Sequence, residues 1–375
     1  MNNKMNHMSV SPTKRRNRIL TIATLVILLA VMILADQEII FTAYVRRIIK
    51  LSAAYGIAAL SMTLIQGFTG LFSLGQAGFM AIGAYTVALA TIPIDIKSDL
   101  FYVKPAYAWV ANLSLPFPVA LLLGALIAAF FALLVGFPVL RLKSDYLGIA
   151  SLGFSEIIRI VIVNWTSLTN SSLGLKNIPA TANVTWCVGL LAVVVFLLLR
   201  MMRTSYGRSF KAIRDDEVAA QAMGINLFTH KLRAFIISGF MAGLGGGLIA
   251  SIIGIVTPVY FKYTLIYELL LIVIIGGMGS VTGAVVAAFV VSFAKEFLRF
   301  LDEGFTIGSF TFPAIAGMRM LVFSVLLMVV ILFFREGFFG DREFSWDGFF
   351  GLIKKAKCKI TEPKQHRKEK GESDQ

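Results

Sequence analysis

Few side chains in this sequence have the types and spacing to do chemistry. Glu156 and Arg159 stand three apart, so on a helix they share one face and can pair. Glu268 sits in the apolar run IYELLLIVII with no opposite charge within helical reach, which makes it the stronger functional candidate, gating or structural. The triplet Asp215, Asp216 and Glu217 opens a polar stretch in the second half of the chain. The three histidines are widely scattered, so no metal site is expected, and His230 among basic residues reads as solvated. Cys187 and Cys358 offer neither a disulfide framework nor a metal cluster; Cys358 in KKAKCK reads as a tail thiol, with lipidation the alternative. No GxxxxGK[ST] phosphate loop occurs, since the clusters GLGGGL and GGMGSVTG lack the lysine. Catalytic residues, a metal and a cofactor of the chain's own are therefore not expected.

The elements that hold these residues belong to a membrane. Of 375 residues, 57% are hydrophobic and 15% charged, too apolar for a soluble domain. The net charge of +14 would suggest nucleic acid in a soluble protein. Here Lys and Arg gather at the ends of apolar runs and in both tails, the pattern of cytoplasmic loops, and no nucleic-acid partner is expected. At 1.5 Å per residue the apolar runs cover ~30 Å of hydrocarbon. Hydropathy places about ten spans, near residues 19–35, 48–66, 77–92, 117–140, 146–164, 184–202, 233–256, 262–277, 282–300 and 315–334. The fold class is an all-α integral membrane protein, a polytopic helical bundle. The first span, preceded by Lys14, Arg15, Arg16 and Arg18, reads as a retained signal anchor. Residues 1–18 then form a cytoplasmic tail, 19–340 the transmembrane domain, and 341–375 a basic, disordered cytoplasmic tail. Arg46, Arg47 and Lys50 fall on the outer side in this topology, against the charge trend.

Two regions are rich in glycine. Gly67, Gly70, Gly75, Gly78 and Gly83 lie around the second and third spans, and Gly276, Gly277, Gly279 and Gly283 around the eighth and ninth. Helices with so much glycine break easily, and broken backbone at membrane depth survives only where it is buried in protein or lines a cavity. Paired interruptions, one in each half, point to a translocation path. Ser73, Gln76 and Ser280 add polar groups that close helix packing alone does not need.

The loop 204–231, bounded by Arg200 and Arg203 before it and Lys231 and Arg233 after, lies on the cytoplasmic side. Within RSFKAIRDDEVAAQAMGINLFTHKLRAF, Asp216 can cap a short helix, Glu217 suits its positive end, Gly224 suits a left-handed C-cap and Asn226 can start the next helix. A capped knob of ~12 Å is too short to cross the bilayer and serves as a handle. FKAIR could lie on headgroups instead, but the acidic triplet would be repelled by an anionic leaflet, which favours a protein partner.

AIRDDEVAAQAMGIN, LRLKSDYLGIASLGFSEIIRIVIVNW, GLFSLGQAGFMAIGAY and IVIIGGMGSVTGAVVAAF together resemble, in order over roughly residues 48–300, the LivM-type permeases of branched-chain amino-acid ABC importers. The resemblance implies that the loop carrying Asp216, Glu217, Ala219, Ala220 and Gly224 docks in a groove of a cytosolic ATPase that binds ATP and Mg. Val218 stands where other ABC importers have Glu, so their contacts do not transfer. It also implies a second related permease, an extracytoplasmic binding protein docking on the loops 93–116 and 166–184, and a bacterial inner-membrane location with both termini cytoplasmic. Ser73, Gly75, Gln76, Gly78, Gly83, Glu268, Gly276, Gly277, Gly279 and Ser280 would line or shape the path of leucine, isoleucine or valine. The alternatives are the same architecture importing urea, short amides or a pentose, or an ion-coupled secondary transporter or channel. The latter would need buried acids or histidines that the spans offer sparsely.

Overall fold

The computed structural model describes residues 42–101, 104–142 and 144–298, with scattered positions between 305 and 340. The expected first span and both tails lie outside the described residues, as does most of the last span.

The helix α1 (Ala43–Met62) passes into a π-helical turn, Thr63–Phe68, and the chain then runs without helix to α2 (Gln76–Thr91). A bend of 117° leads into the short α3 (Ile94–Leu100), followed by α4 (Ala108–Ala111). Then come α5 (Phe117–Val139), α6 (Ser144–Asn164), the single turn α7 (Thr166–Thr169) and α8 (Val184–Met202). The polar loop holds α9 (Ser205–Asp215) and α10 (Glu217–Ala222). Last are α11 (Leu227–Ile253), α12 (Tyr263–Gly276) and α13 (Val281–Phe297). Phe305–Ile307 and Phe310–Phe312 pair as a small antiparallel hairpin, β1 and β2.

Among the described residues, five helices are long and apolar enough to cross a membrane, six if the bent pair α2 and α3 counts as one span. The expected number of about ten is therefore not confirmed among the described residues. The segments expected at 262–277 and 282–300 are helices, but α12 has 14 residues, ~21 Å, and α13 has 17, ~26 Å. Each falls short of a ~30 Å hydrocarbon core.

The centre of the bundle is α1 and α11, both mostly buried, and α2, α5 and α11 pack closely together. The run GLGGGL explains how. A methyl group on Gly246 would lie 2.0 Å from the Met80 carbonyl oxygen of α2, and one on Gly243 would lie 2.6 Å from the Ala128 Cβ of α5. Only glycine permits such approach, the mode by which helices associate in lipid, where no hydrophobic drive separates them from their solvent. The outer helices present the reverse face. Leu122, Leu126, Phe130 and Leu134, four apart on α5, are exposed, as are Val193, Phe196 and Leu197 on α8. Apolar stripes of this length face lipid, so the protein is membrane-embedded.

At the end of the bundle where α2 finishes, the connecting segments are knitted together. Leu175 and Val256 exchange backbone hydrogen bonds of 2.8 Å, and the Asn170 side-chain amide donates to the Leu100 and Gly174 carbonyls. Lys97 of α3 is almost wholly buried, its ammonium donating to the carbonyls of Val110, at 2.9 Å, and Leu113. Burial holds that ammonium below the ordinary lysine range.

Candidate functional site

The first glycine region is a true interruption whose backbone is satisfied by side chains. In a continued α-helix the Leu71 amide would serve the Gly67 carbonyl; instead it donates to the Ile65 carbonyl at 3.0 Å. The Thr69 hydroxyl donates to the carbonyls of Leu64 and Ile65, and the Gln66 amide donates to the Ser73 carbonyl at 3.0 Å. The Leu74 amide finds the Ser151 hydroxyl of α6 at 2.8 Å. Bonds of this kind allow non-helical backbone to persist inside a membrane protein.

Just beyond the break lies a buried polar cluster. Gln76, at the start of α2, donates through Nε2 to the Ser238 hydroxyl of α11 at 3.0 Å and accepts from the Ser61 hydroxyl of α1 at 3.4 Å. Ser238 in turn donates to the Ser61 carbonyl at 2.8 Å. All three side chains are fully buried, so α1, α2 and α11 are joined by one polar knot. Ser61 and Ser238 were not among the sequence candidates. Their only signal was a serine in each of two apolar runs.

The other candidates of this region serve varied contacts. Ser73 is buried, and Gly75 precedes α2 beside Ser151. Gly78 lies against Ser155 of α6, where a methyl would stand 3.0 Å from its Cα. Gly83 lies against Gly243, where a methyl would stand 2.2 Å from the carbonyl oxygen, a close helix crossing.

The second glycine region is a tight turn between α12 and α13. Gly277 adopts φ +98°, Gly279 is buried in the turn, and the Ser280 hydroxyl caps α13 by accepting from the Gly283 amide at 3.0 Å. Gly276 and Gly283 face each other closely enough that a methyl on Gly276 would lie 2.6 Å from the Gly283 carbonyl. The two breaks, more than two hundred residues apart in sequence, meet. A methyl on Gly67 would lie 1.5 Å from the carbonyl oxygen of Met278.

Glu268 does not stand alone, contrary to the expectation from sequence. Its carboxylate pairs with the Lys295 ammonium, 27 residues later on α13, and that ammonium sits 5.7 Å from the Tyr55 ring centroid. The partner comes from the neighbouring helix, beyond the reach of an i to i+4 search. Glu156 and Arg159 do pair along α6, at 2.7 Å.

The polar loop is built as its caps predict. The Asp216 carboxylate accepts from the amides of Val218 and Ala219 at 2.8 and 3.0 Å, starting α10. Gly224, at φ +82°, ends it with a paired closure in which its own amide reaches the Gln221 carbonyl and the Ile225 amide reaches that of Ala220. Asn226 caps α11 through the Thr229 amide. Glu217 is bound to Lys231 at 2.7 Å, fixing α10 on α11. Ala220 is buried beneath the knob and Ala219 is exposed. Val218 and Met223 are 78% and 84% exposed, two apolar side chains offered outward from a rigid base.

For this loop one alternative falls and one expectation needs correction. The apolar face of α9 does not lie on headgroups: Phe210 and Ile213 are buried in the protein. His230 is packed as well as polar, its ring 6.3 Å from Phe210 and 6.1 Å from Tyr206, with Nδ1 bonded to the Asn226 carbonyl oxygen.

Residues 44–334, well over half of the chain, match the family described as the branched-chain amino acid transport system permease component. The chain belongs to this family. It is 34% identical over 290 residues to the high-affinity branched-chain amino acid transport system permease protein LivM of Escherichia coli (strain K12). It is 33% identical, also over 290 residues, to that of Salmonella typhimurium (strain LT2). Both alignments cover 68% of this chain and 64% of the relative, so less than two thirds of those proteins is represented here. The ribose import permease protein RbsC of Haemophilus influenzae is 24% identical over 288 residues, covering 74% of this chain and 84% of the relative. No solved structure matches.

Proposed function

We propose that this chain is a membrane-spanning permease subunit of an ATP-binding-cassette importer, carrying leucine, isoleucine and valine across the bacterial inner membrane by alternating access. The observation that carries this reading is the doubly capped knob of α10, with Val218 and Met223 exposed on a base fixed by Glu217 and Lys231. Rigid, partly apolar and protruding, it is suited to a groove on a partner protein. In this reading the loop faces the cytoplasm and receives an ATPase that binds ATP and Mg, so this chain catalyses nothing itself. Both termini are cytoplasmic, and a second related permease completes the pore. An extracytoplasmic binding protein rests on the knitted connections around Lys97, Asn170 and Val256. The interrupted segments Thr63–Gly75 and Gly276–Ser280, with the Gln76 cluster between α1, α2 and α11, shape the path. Broken backbone and clustered hydroxyl and amide groups at one place are what a passing zwitterion needs.

The substrate assignment follows the LivM relatives, while the likeness to a ribose permease keeps a sugar as the second reading. Uptake of labelled leucine by intact cells with and without the gene tests both, with excess unlabelled ribose or urea as competitors. Loss of leucine uptake on deletion, unaffected by either competitor, is the expected result. Unchanged leucine uptake with lost ribose or urea uptake would overturn the substrate. Uptake that persisted after ATP depletion but collapsed with the ion gradient would overturn the class.

A further inference from the structure

Arg214, the last basic residue of α9, is absorbed by none of the roles above, yet it joins the polar loop to the break in α1. Its guanidinium is a fork that reaches both elements. Nε and Nη2 face the Asp215 carboxylate at 3.0 Å, beside the Asp216 cap, while Nη1 donates to the Gly67 carbonyl at 3.1 Å. Gly67 is the residue whose helical donor, Leu71, has been drawn away to Ile65, so Arg214 supplies the bond that the interruption removed. A cation at the carboxyl end of a helix is also favoured by the helix dipole. The contact is close along the backbone too. Gly70 adopts φ +68°, and a methyl there would stand 3.1 Å from the Arg214 Cα. Lys211, one turn earlier, lies 5.9 Å from the Phe68 ring centroid. Gly67 in turn touches the Met278 carbonyl in the second break.

We infer that Arg214 is a positioning residue that couples the knob to both interrupted segments, so that α9 and the break at Gly67 move as one body when the knob is displaced. The inference rests on the reading of the loop as an ATPase-docking element. A planar fork suits the role because it holds Asp215 and Gly67 at once in fixed geometry, whereas a lysine offers a point charge.

The test uses the full chain assembled with its ATPase, partner permease and binding protein in proteoliposomes, and reads solute imported per ATP hydrolysed. A wild-type complex that shows no ATP-driven uptake would defeat the proposed function itself. Given a working wild type, Arg214→Met is expected to lower that ratio about tenfold, the size of one lost charge-assisted hydrogen bond, while the ATPase still co-purifies. Arg214→Lys is expected to recover part of it. A merely structural residue would lower uptake and hydrolysis in step, leaving the ratio unchanged, and that result would overturn the inference. Should Arg214→Met fail to insert, a second measurement decides. With Cys358 replaced, spin labels at Arg208 and Phe72, both exposed, report the separation of α9 from the segment after the break. One-body motion predicts that the distance stays constant to about 2 Å between nucleotide-free and ATP-bound complexes. A change of several Å would overturn the inference.

Discussion

Gly67→Ala adds one methyl group at the point where the two breaks touch. That methyl would be built 1.5 Å from the Met278 carbonyl oxygen, with Thr63 Cγ2 at 3.3 Å. Ordinary contact begins near 3.4 Å, so the two backbones must separate by about 1.9 Å. Neither neighbour yields cheaply. The oxygen belongs to a turn held by Gly277 at φ +98° and the Ser280 cap, and the Gly67 carbonyl is held by Arg214. Overpacking of this kind costs ~1–3 kcal/mol, and where the contact is remade in each transport cycle ~10- to 100-fold in rate follows. The assay is uptake in intact cells, normalised to permease present in the membrane. Gly189→Ala is the control, because a methyl on that helical glycine of α8 meets nothing within 4 Å and helix propensity should gain slightly. Uptake at the wild-type level in Gly67→Ala would refute the reasoning, since it would mean that the contact between the breaks is not broken and remade during transport.

Asp216→Ala removes the acceptor of two backbone amides at the start of α10, costing about 1 kcal/mol of local stability; protease cleavage within 215–224 should quicken, with ATPase co-purification weakened. Glu268→Gln leaves the Lys295 ammonium without its counter-charge; the loss in thermal stability should fall below the ~3–5 kcal/mol of a fully buried pair, because both side chains are partly exposed. The double change with Lys295→Met should recover part of that loss. Lys97→Met strips two buried carbonyls of their donor, at ~1–3 kcal/mol each, and should expose the segment 104–116 to proteolysis. The pH dependence of this segment follows from the lowered Lys97 pKa. In the window from that lowered value up to the ordinary 10.5 the unfolded state binds the extra proton, so protection of the segment should rise with pH there and level off above it. Lys97→Met should flatten that rise, and an unchanged pH profile would count against the buried ammonium.

What the amino-acid sequence determined alone is whatever depends on hydration and on neighbours a few residues away. The apolar runs became helices within a few residues of where hydropathy put them, from α5 at Phe117–Val139 to α8 at Val184–Met202. Transfer into lipid is a sum over one segment. Caps were legible for the same reason. Asp216, Gly224 and Asn226 each satisfy amides or carbonyls within four residues, and Glu156 finds Arg159 on its own helix. Tertiary structure decided the rest. Glu268 looked solitary because Lys295 stands 27 residues on, and Gln76 meets Ser238 across 162. The amphipathic face of α9 could have met lipid or protein, since both bury apolar surface; only the packed Phe210 and Ile213 distinguish them. The glycines announced interruptions, but that the interruptions meet at Gly67, with Arg214 holding the carbonyl left over, depends on which helices lipid packing brings together, and periodicity along one segment carries no information about that.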